Sequence, residues 1–189
     1  MKYTALVAVL VALATPVAPA AATDLIPFGE IGYGGTGCPD GTADIVTNDS
    51  RTSALLSLSG YAVGDGKRST DRKTCALAIP VEVPEGVAVA IRGIAVIGSV
   101  DLPEGLDATL GLEAFVAGDS AEQTEMSLSG PRTGNWFRAV SIRWNDLVWT
   151  ACGKDSILRI NTSLRTKGGA GAKVSLDRLV LFRFATKAC

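Results

Sequence analysis

The chain has 189 residues with 18 Lys and Arg, 19 Asp and Glu and no His, so its formal net charge is −1. This charge balance argues against nucleic acid as the main partner, because phosphate backbones are bound by strongly basic surfaces. Without histidine, the Ser-His-Asp and Cys-His schemes of nucleophilic catalysis and any His-bound metal are excluded.

The N-terminal residues have the pattern of a secretory signal peptide. Lys2 precedes an apolar run over residues 5–14, and Pro16 and Pro19 follow it among small residues. A membrane anchor is the alternative, but a spanning helix needs about 20 apolar residues, twice the length of this run. We therefore predict no membrane span and a signal peptide over residues 1–22. Residues 23–189 would form one secreted domain, extracellular, or periplasmic in a source with an outer membrane.

The stretch GYGGTG (residues 32–37) fits the G-x-G-x-x-G template of dinucleotide-binding proteins. That template requires a strand before it, a helix after it and an acidic residue about twenty positions further on. Here Cys38 and Pro39 follow at once, and Ser57 occupies the twentieth position after the last glycine. We therefore predict no nucleotide and no other cofactor.

These glycines have a structural interpretation instead. They would let the N-terminal segment pass close over a sheet edge and bring Cys38 to a partner cysteine. On this interpretation a Gly34→Ala change alters stability and nothing involving a nucleotide.

The rest of the chain alternates at period two and is punctuated by turn signals, and no stretch has helical periodicity. In ILRINTSLR (157–165), Leu158, Ile160, Thr162 and Leu164 share one face, which is typical of a half-buried strand. The stretch at 87–100 is apolar on both faces except Arg92, which predicts a central strand with a bulge at Gly93. Further strands are predicted at 54–63, 75–83, 106–118, 136–144 and 174–184. The pattern predicts an all-β protein, an antiparallel β-sandwich of roughly eight to ten strands.

Four cysteines, Cys38, Cys75, Cys152 and Cys189, follow the export signal. An even number in an oxidising compartment predicts two disulfides. Three pairings are open, and pairing Cys38 with Cys75 and Cys152 with Cys189 closes two loops of equal span, 37 residues each. Each bridge would contribute about 3 to 4 kcal/mol of stability. A zinc site needs clustered thiolates or histidines, which the sequence lacks, so no metal is predicted.

Several short motifs resemble one family of secreted proteins. They are GGTGCP (34–39), DRKTC (71–75), LSGP (128–131), LVWTACG (147–153) and LRINTSLR (158–165), followed by a final cysteine. In this order they are similar to domain of unknown function family forty-three sixty. The resemblance implies a small secreted β-rich domain whose cysteines are structural. That family has no defined catalytic residues, so none is assigned here.

Charge is unevenly distributed along the chain. Residues 76–130 carry nine acids and one base, a net of −8, while residues 153–189 carry eight bases and two acids, a net of +6. One interpretation is that acidic and basic strands lie side by side in a sheet. The other is a basic face that binds an anionic glycan or surface polymer.

The DRKTC segment is the first candidate for ligand binding. Arg68, Arg72 and Lys73 lie close together in sequence and would attract an anion. Asp71 offers a structural alternative, in which its carboxylate orders the loop by accepting backbone hydrogen bonds.

Aromatic residues are the second candidate. Trp136 and Trp144 are selected as ligand-binding side chains because indole rings can stack on sugars, and Trp149, Tyr33 and Tyr61 are further aromatic residues of this kind. The alternative is that these tryptophans fill the core of the sandwich.

These observations favour a secreted, non-catalytic protein that binds a glycan or cell-wall polymer. The alternative is a hydrolase or inhibitor with an unrecognised site, because Glu113, Glu122 and Glu125 could supply paired carboxylates. Asn48 and Asn161 open N-x-S sequons, which matter in a source that glycosylates secreted proteins.

Overall fold

The computed structural model describes residues 26–64, 70–167 and 171–189. The predicted signal peptide and Arg68 lie outside the described residues. Within them, no helix is both long enough and apolar enough to cross a membrane.

Twelve strands and one short 3₁₀ turn at Trp144–Asp146 make up the described secondary structure. The strands are β1 (Gly32–Gly34), β2 (Ala43–Thr47), β3 (Ala54–Leu58), β4 (Ala62–Val63), β5 (Thr70–Val81), β6 (Val87–Leu102), β7 (Asp107–Val116), β8 (Thr124–Ser129), β9 (Arg132–Ser141), β10 (Ser156–Lys167), β11 (Lys173–Ser175) and β12 (Arg178–Ala188).

The strands form two antiparallel sheets. Sheet A has five strands in the order β1-β5-β10-β7-β8. Sheet B has seven, in the order β2-β3-β12-β6-β11-β4, and β9 pairs with β6. The predicted all-β sandwich is confirmed. Three of the twelve described strands are only two or three residues long, which leaves nine of five residues or more, within the predicted number.

Alternation along each strand produces the core between the sheets. In β10, Leu158, Ile160, Thr162 and Leu164 are buried, as predicted, while the intervening side chains face outward. The same buried cluster contains Ile79 of sheet A and Val96 of sheet B, so the two inner faces pack on each other.

Strand β6 is the central strand that the sequence predicts. Its residues are buried on both faces over most of its length, and its register with β12 shifts beside Gly93, where the bulge is predicted. β12 and β9 pair along its two edges. The burial of both faces explains why the sequence of β6 is apolar without alternation.

Other strand boundaries differ from the sequence-based expectation. The run at 174–184 is divided, because Leu176 and Asp177 leave the strand and their N–H groups bond to the carbonyls of Tyr61 and Ile97. β2 and β8 were not predicted at all. Their outward side chains are exposed and their apolar positions few, so their alternation is weak in sequence.

Two disulfides link Cys38 to Cys75 and Cys152 to Cys189, with Cα atoms 5.4 and 6.1 Å apart. The equal-span pairing is therefore confirmed. No free cysteine occurs in the described residues. The first bridge ties the N-terminal segment to β5, and the second ties the segment after β9 to the end of β12.

The glycine-rich segment is constrained at positions other than the one that sequence suggested. A Cβ atom at Gly34 would meet nothing within 4 Å. At Gly35 it would overlap the carbonyl of Thr74, and at Gly37 it would overlap the ring of Tyr61. The close approach that delivers Cys38 to Cys75 therefore depends on Gly35 and Gly37.

We predict that Gly37→Ala lowers the free energy of unfolding by about 1 to 3 kcal/mol, the range for overpacking a core. Gly34→Ala is the matched control and should stay within about 0.5 kcal/mol of the native protein. Urea unfolding of the two variants measures the difference. Equal effects from the two changes would contradict the assignment of the constraint to Gly37.

The Tyr61 hydroxyl is buried and lies 3.1 Å from Thr162 Oγ1. Burial raises its pKa to about 12. The unfolded chain loses this proton near pH 10, whereas the folded protein keeps it until about pH 12. The contribution of Tyr61 to the free energy of unfolding is therefore fully present below pH 10 and is lost as the pH rises towards 12. Two pKa units correspond to about 3 kcal/mol.

Urea unfolding between pH 9 and pH 12 tests this linkage. Tyr61→Phe should remove most of the alkaline loss of stability, whereas Tyr33→Phe should retain it. An unchanged pH dependence in Tyr61→Phe would show that another group is responsible.

Candidate functional site

The segment after β9 covers part of the outer face of sheet B. Ala90 of β6 and Ala185 of β12 are directly opposite each other and form a small buried cluster with Leu147. Trp149 packs on this cluster. Alanine at both strand positions leaves room for the larger side chains to lie close to the sheet.

Backbone and covalent bonds hold the same segment in position. The Thr150 N–H donates to the Val89 carbonyl, and the Val89 N–H donates to Thr150 Oγ1, each at 2.9 Å. The Gly153 N–H donates to the Val87 carbonyl at 2.9 Å, and Cys152 is bridged to Cys189. The segment therefore continues the edge pairing of β6 where β9 has ended.

Two tryptophans project from this anchored segment. The rings of Trp144 and Trp149 meet edge to face, with centroids 4.9 Å apart. Arg92 lies 5.7 Å from the Trp144 ring and Lys187 lies 4.5 Å from the Trp149 ring. Trp144 is 46% exposed. We call these four side chains the tryptophan surface.

Trp136, the other tryptophan selected from sequence, is only 3% exposed. Its indole N–H donates to the carbonyls of Ser99 and Ser175, and its ring lies against Gly98, where a Cβ would leave no room. It fills the core, the alternative given for it above, and is removed from the candidate ligand residues. Sequence could not separate the two tryptophans because both lie in the same alternating run.

The two basic residues of DRKTC, Arg72 and Lys73, differ in where their side chains lie. Arg72 is exposed on the outer face of sheet A, whereas the ammonium of Lys73 donates to the Gly60 carbonyl at 2.8 Å. Asp71 accepts a hydrogen bond from the Gly64 N–H at 3.1 Å, as in the structural interpretation of this residue. Arg72 is therefore the described member of this group that faces outward.

A polar groove of about 400 Å³ lies on the outer face of sheet A. Its floor includes the small residues Gly34 and Ala76. Its polar lining is formed by Arg72, Thr74, Glu113, Gln123, Asn161 and Ser163. Asn161 Nδ2 donates to Glu113 Oε2 at 3.3 Å, and Gln123 Nε2 donates to Ser163 Oγ at 3.2 Å.

The three carboxylates considered for glycosidase chemistry are not gathered in one cavity. Glu113 lines the polar groove, Glu122 lines a separate cleft of about 430 Å³, and Glu125 is exposed on β8. Asp146 also lines that cleft, but it forms an ion pair with Arg143 at 2.7 Å. The hydrogen bond to Asp146 raises the pKa of Arg143 above its usual value.

The acidic and basic stretches lie side by side, as one of the two interpretations predicts. Asp107 of β7 is directly opposite Lys167 of β10, and Asp101 of β6 is opposite Lys173 of β11. In neither pair do the charged groups come within ion-pair distance. Among the described residues, the ion pair that does form is between Arg143 and Asp146. The charge pattern therefore reflects the order of strands in the sheets.

Sequence reasoning missed Arg92 and Lys187 of the tryptophan surface and Gln123 of the polar groove. Each is an isolated polar residue whose neighbours come from distant parts of the chain, and no local motif marks it. Within residues 26–64, 70–167 and 171–189, no cluster of three or more His, Cys, Asp or Glu side chains could hold a metal ion.

The fold and its bridges define a disulfide-linked all-β sandwich protein with an anchored aromatic surface. The chain belongs to the family described as Domain of unknown function (DUF4360), whose sequence profile matches residues 26–183. An uncharacterized secreted protein of Arthroderma benhamiae is 31% identical over 138 residues, which are 70% of this chain and 56% of the relative. The chain thus spans about half the length of that relative. The predicted family and the predicted secretion are confirmed.

Two solved structures of carbohydrate-binding modules are distantly similar. One is bound to β-1,4-galactotriose and is 13% identical, with 86% of this chain and 91% of that chain covered and a TM-score of 0.32. The other recognises mannan and is 10% identical, with 82% and 98% covered and a TM-score of 0.32. A TM-score of 0.32 is too low to assign a binding site in this chain from either module.

We predict that Thr150 anchors the tryptophan surface. Thr150→Val removes the hydroxyl that accepts the buried Val89 N–H, which should cost about 1 to 3 kcal/mol of unfolding free energy. It should also increase acrylamide quenching of tryptophan fluorescence. Thr150→Ser keeps the hydroxyl and should retain most of the native stability and protection. If the serine variant is quenched as strongly as the valine variant, the hydrogen bond is not the anchor.

Proposed function

We propose that this protein is a secreted, non-catalytic glycan-binding protein, released after cleavage of the signal peptide at residues 1–22, and that the tryptophan surface carries its binding. The supporting observation is the exposed Trp144 ring on a segment that is anchored at Thr150 and Cys152. Exposure alone does not distinguish Trp144, because Phe137 is more exposed, at 56%. Trp144 differs in having a second indole ring and cationic side chains beside it.

The chemistry of an indole ring suits a sugar. Its flat apolar face packs against the C–H groups of a pyranose ring, while the hydroxyl groups around the sugar's rim remain free to form hydrogen bonds. Arg92 and Lys187 flank the two rings, and their N–H groups can donate to those hydroxyl oxygens. Stacking and hydrogen bonding would then act on the same sugar.

Rigidity of the surface supports its use in binding. The anchored segment needs little ordering when a ligand arrives, so less of the interaction energy is lost as conformational entropy. The edge contact between Trp144 and Trp149 further restricts the rotamers of both rings. A preformed surface of this kind suits a repeating polymer, because the ligand can bind without rearrangement of the sheet.

The distribution of carboxylates supports a non-catalytic role. A glycosidase of the usual kind holds two carboxyl groups across one scissile bond, about 5 to 10 Å apart. Here Glu113 is hydrogen-bonded by Asn161, and Asp146 is paired with Arg143. The tryptophan surface itself contains no acidic side chain.

We predict that Trp144→Ala weakens binding of the secreted protein to its best polysaccharide by about 10- to 100-fold, the effect of losing a central aromatic contact. The first measurement is a pulldown on cellulose, chitin, β-glucan, mannan and peptidoglycan, followed by titration calorimetry. Phe137→Ala is the matched control, because Phe137 is 56% exposed on β9 but lies outside the tryptophan surface.

Three outcomes would contradict the proposal. In the first, the native protein binds none of the polysaccharides. In the second, the two alanine variants lose affinity equally. In the third, incubation with the protein releases soluble sugar from the polymer. The last result would favour the hydrolase alternative.

A further inference from the structure

The polar groove on sheet A is a second surface whose chemistry differs from that of the tryptophan surface. It lies on the opposite sheet, and the side chains that line it are polar or small rather than aromatic. Its walls contain donors from Arg72 and the amides, and acceptors from Glu113 and the hydroxyl groups. Such a lining is complementary to a ligand rich in both donors and acceptors.

Arg72 lines one end of this groove, and Arg165 lies just beyond its lining residues. Arg72 of β5 and Arg165 of β10 are directly opposite each other in the antiparallel register, and both are exposed. Opposite residues of this kind have Cβ atoms about 5 Å apart, and like charges in such a pair repel each other. A bound anion would remove the repulsion, because guanidinium groups bind a carboxylate through paired N–H donors.

The remaining polar groups lie along the same two strands. Asn161 is four residues from Arg165 in β10, a separation of about 13 Å. Ser163 lies between them on the same face, and Thr74 of β5 is directly opposite Ser163. The groove is therefore cationic at one end and amide-rich at the other, and it is longer than a single sugar ring.

The floor of the groove is kept low by a glycine. Gly111 of β7 is opposite Ser163, and a Cβ at this position would overlap the amide of Gln123 and crowd the Ser163 hydroxyl. The amide of Gln123 thus lies close to the backbone of Gly111, and its Nε2 donates to Ser163 Oγ. An amide group can both donate to and accept from neighbouring hydroxyl groups.

We propose that this groove binds an acidic oligosaccharide, with a uronate carboxylate on Arg72 and Arg165 and with sugar hydroxyls on Asn161, Glu113, Gln123 and Ser163. Glu113 is directly opposite Asn161, about 13 Å along the strands from the arginines, and accepts a hydrogen bond from it. Its carboxylate would accept further hydrogen bonds from sugar hydroxyls at that end. The site does not involve Trp144, so it stands independently of the tryptophan surface. A protein with both sites would hold polymer on two opposite faces.

The test uses the secreted protein with tetragalacturonate as the probe, in titration calorimetry. Two comparison ligands lack its charge: methyl-esterified tetragalacturonate, in which the carboxylates are masked, and galactotetraose, which has no carboxyl groups. We expect binding of the acid, at least tenfold weaker binding of the ester, and an affinity for the acid that falls as salt is raised.

Two double variants that lose the same charge at different places distinguish a specific site from general electrostatic attraction of the ligand to the protein. Arg72→Gln with Arg165→Gln should lower the affinity for tetragalacturonate at least tenfold, whereas Arg138→Gln with Arg178→Gln, on sheet B, should change it less than twofold. Arg72→Lys keeps the charge without the planar fork and should give an intermediate loss. Trp144→Ala should leave this affinity unchanged.

Thermal unfolding tests whether Arg72→Gln with Arg165→Gln is correctly folded. Its melting temperature should be no lower than that of the native protein, because the change removes repulsion between like charges. Asn161→Ala is a second route to the same conclusion, since it should weaken binding of the acid without altering the net charge. The proposal is overturned if tetragalacturonate does not bind, if acid and ester bind equally, or if the two double variants lose affinity equally. Loss of this binding in Trp144→Ala would instead assign it to the tryptophan surface.

Discussion

Burial of strand β6 on both faces is the constraint on which the rest of the structure depends. Its inner face packs against sheet A, and its outer face at Ala90 is covered by Leu147 and Trp149. A strand that is apolar on both sides needs cover on both sides, because each exposed apolar face loses its contribution to folding. The tryptophan segment supplies that cover, and its position on the surface follows from this packing.

The two disulfides stabilise the same two regions in which the proposed binding surfaces lie. Cys152–Cys189 closes the end of the tryptophan segment on β12, and Cys75 of the other bridge lines the polar groove. Thr150 and the glycines at 35 and 37 add backbone contacts beside each bridge. Covalent and hydrogen-bonded restraints therefore act where side chains face solvent, and they reduce the entropy that binding would otherwise remove.

Small residues shape both surfaces. Ala90 and Ala185 allow Leu147 and Trp149 to lie close to sheet B, while Gly111 allows the amide of Gln123 to lie close to sheet A. Because the side chains are closely packed, a small residue in the sheet lets the side chain above it lie closer to the backbone. The two outer faces thus differ in chemistry although they belong to sheets of similar antiparallel construction.

The sequence by itself determined the all-β class and the central strand and predicted secretion, because these depend on local patterns: period-two alternation, a run that is apolar on both faces except at Arg92, and an N-terminal apolar segment. It left three cysteine pairings open, of which the structure contains the equal-span one. It also selected Trp144 and Arg72 as candidate ligand residues. It could not separate the buried Trp136 from the exposed Trp144, because the alternating run does not show that β9 ends at Ser141, before Trp144. Only the tertiary structure brought Arg92 and Lys187 to the two tryptophans, and Arg72 opposite Arg165. Those neighbours are set by strand order and register, which long-range packing decides and no short stretch of sequence contains.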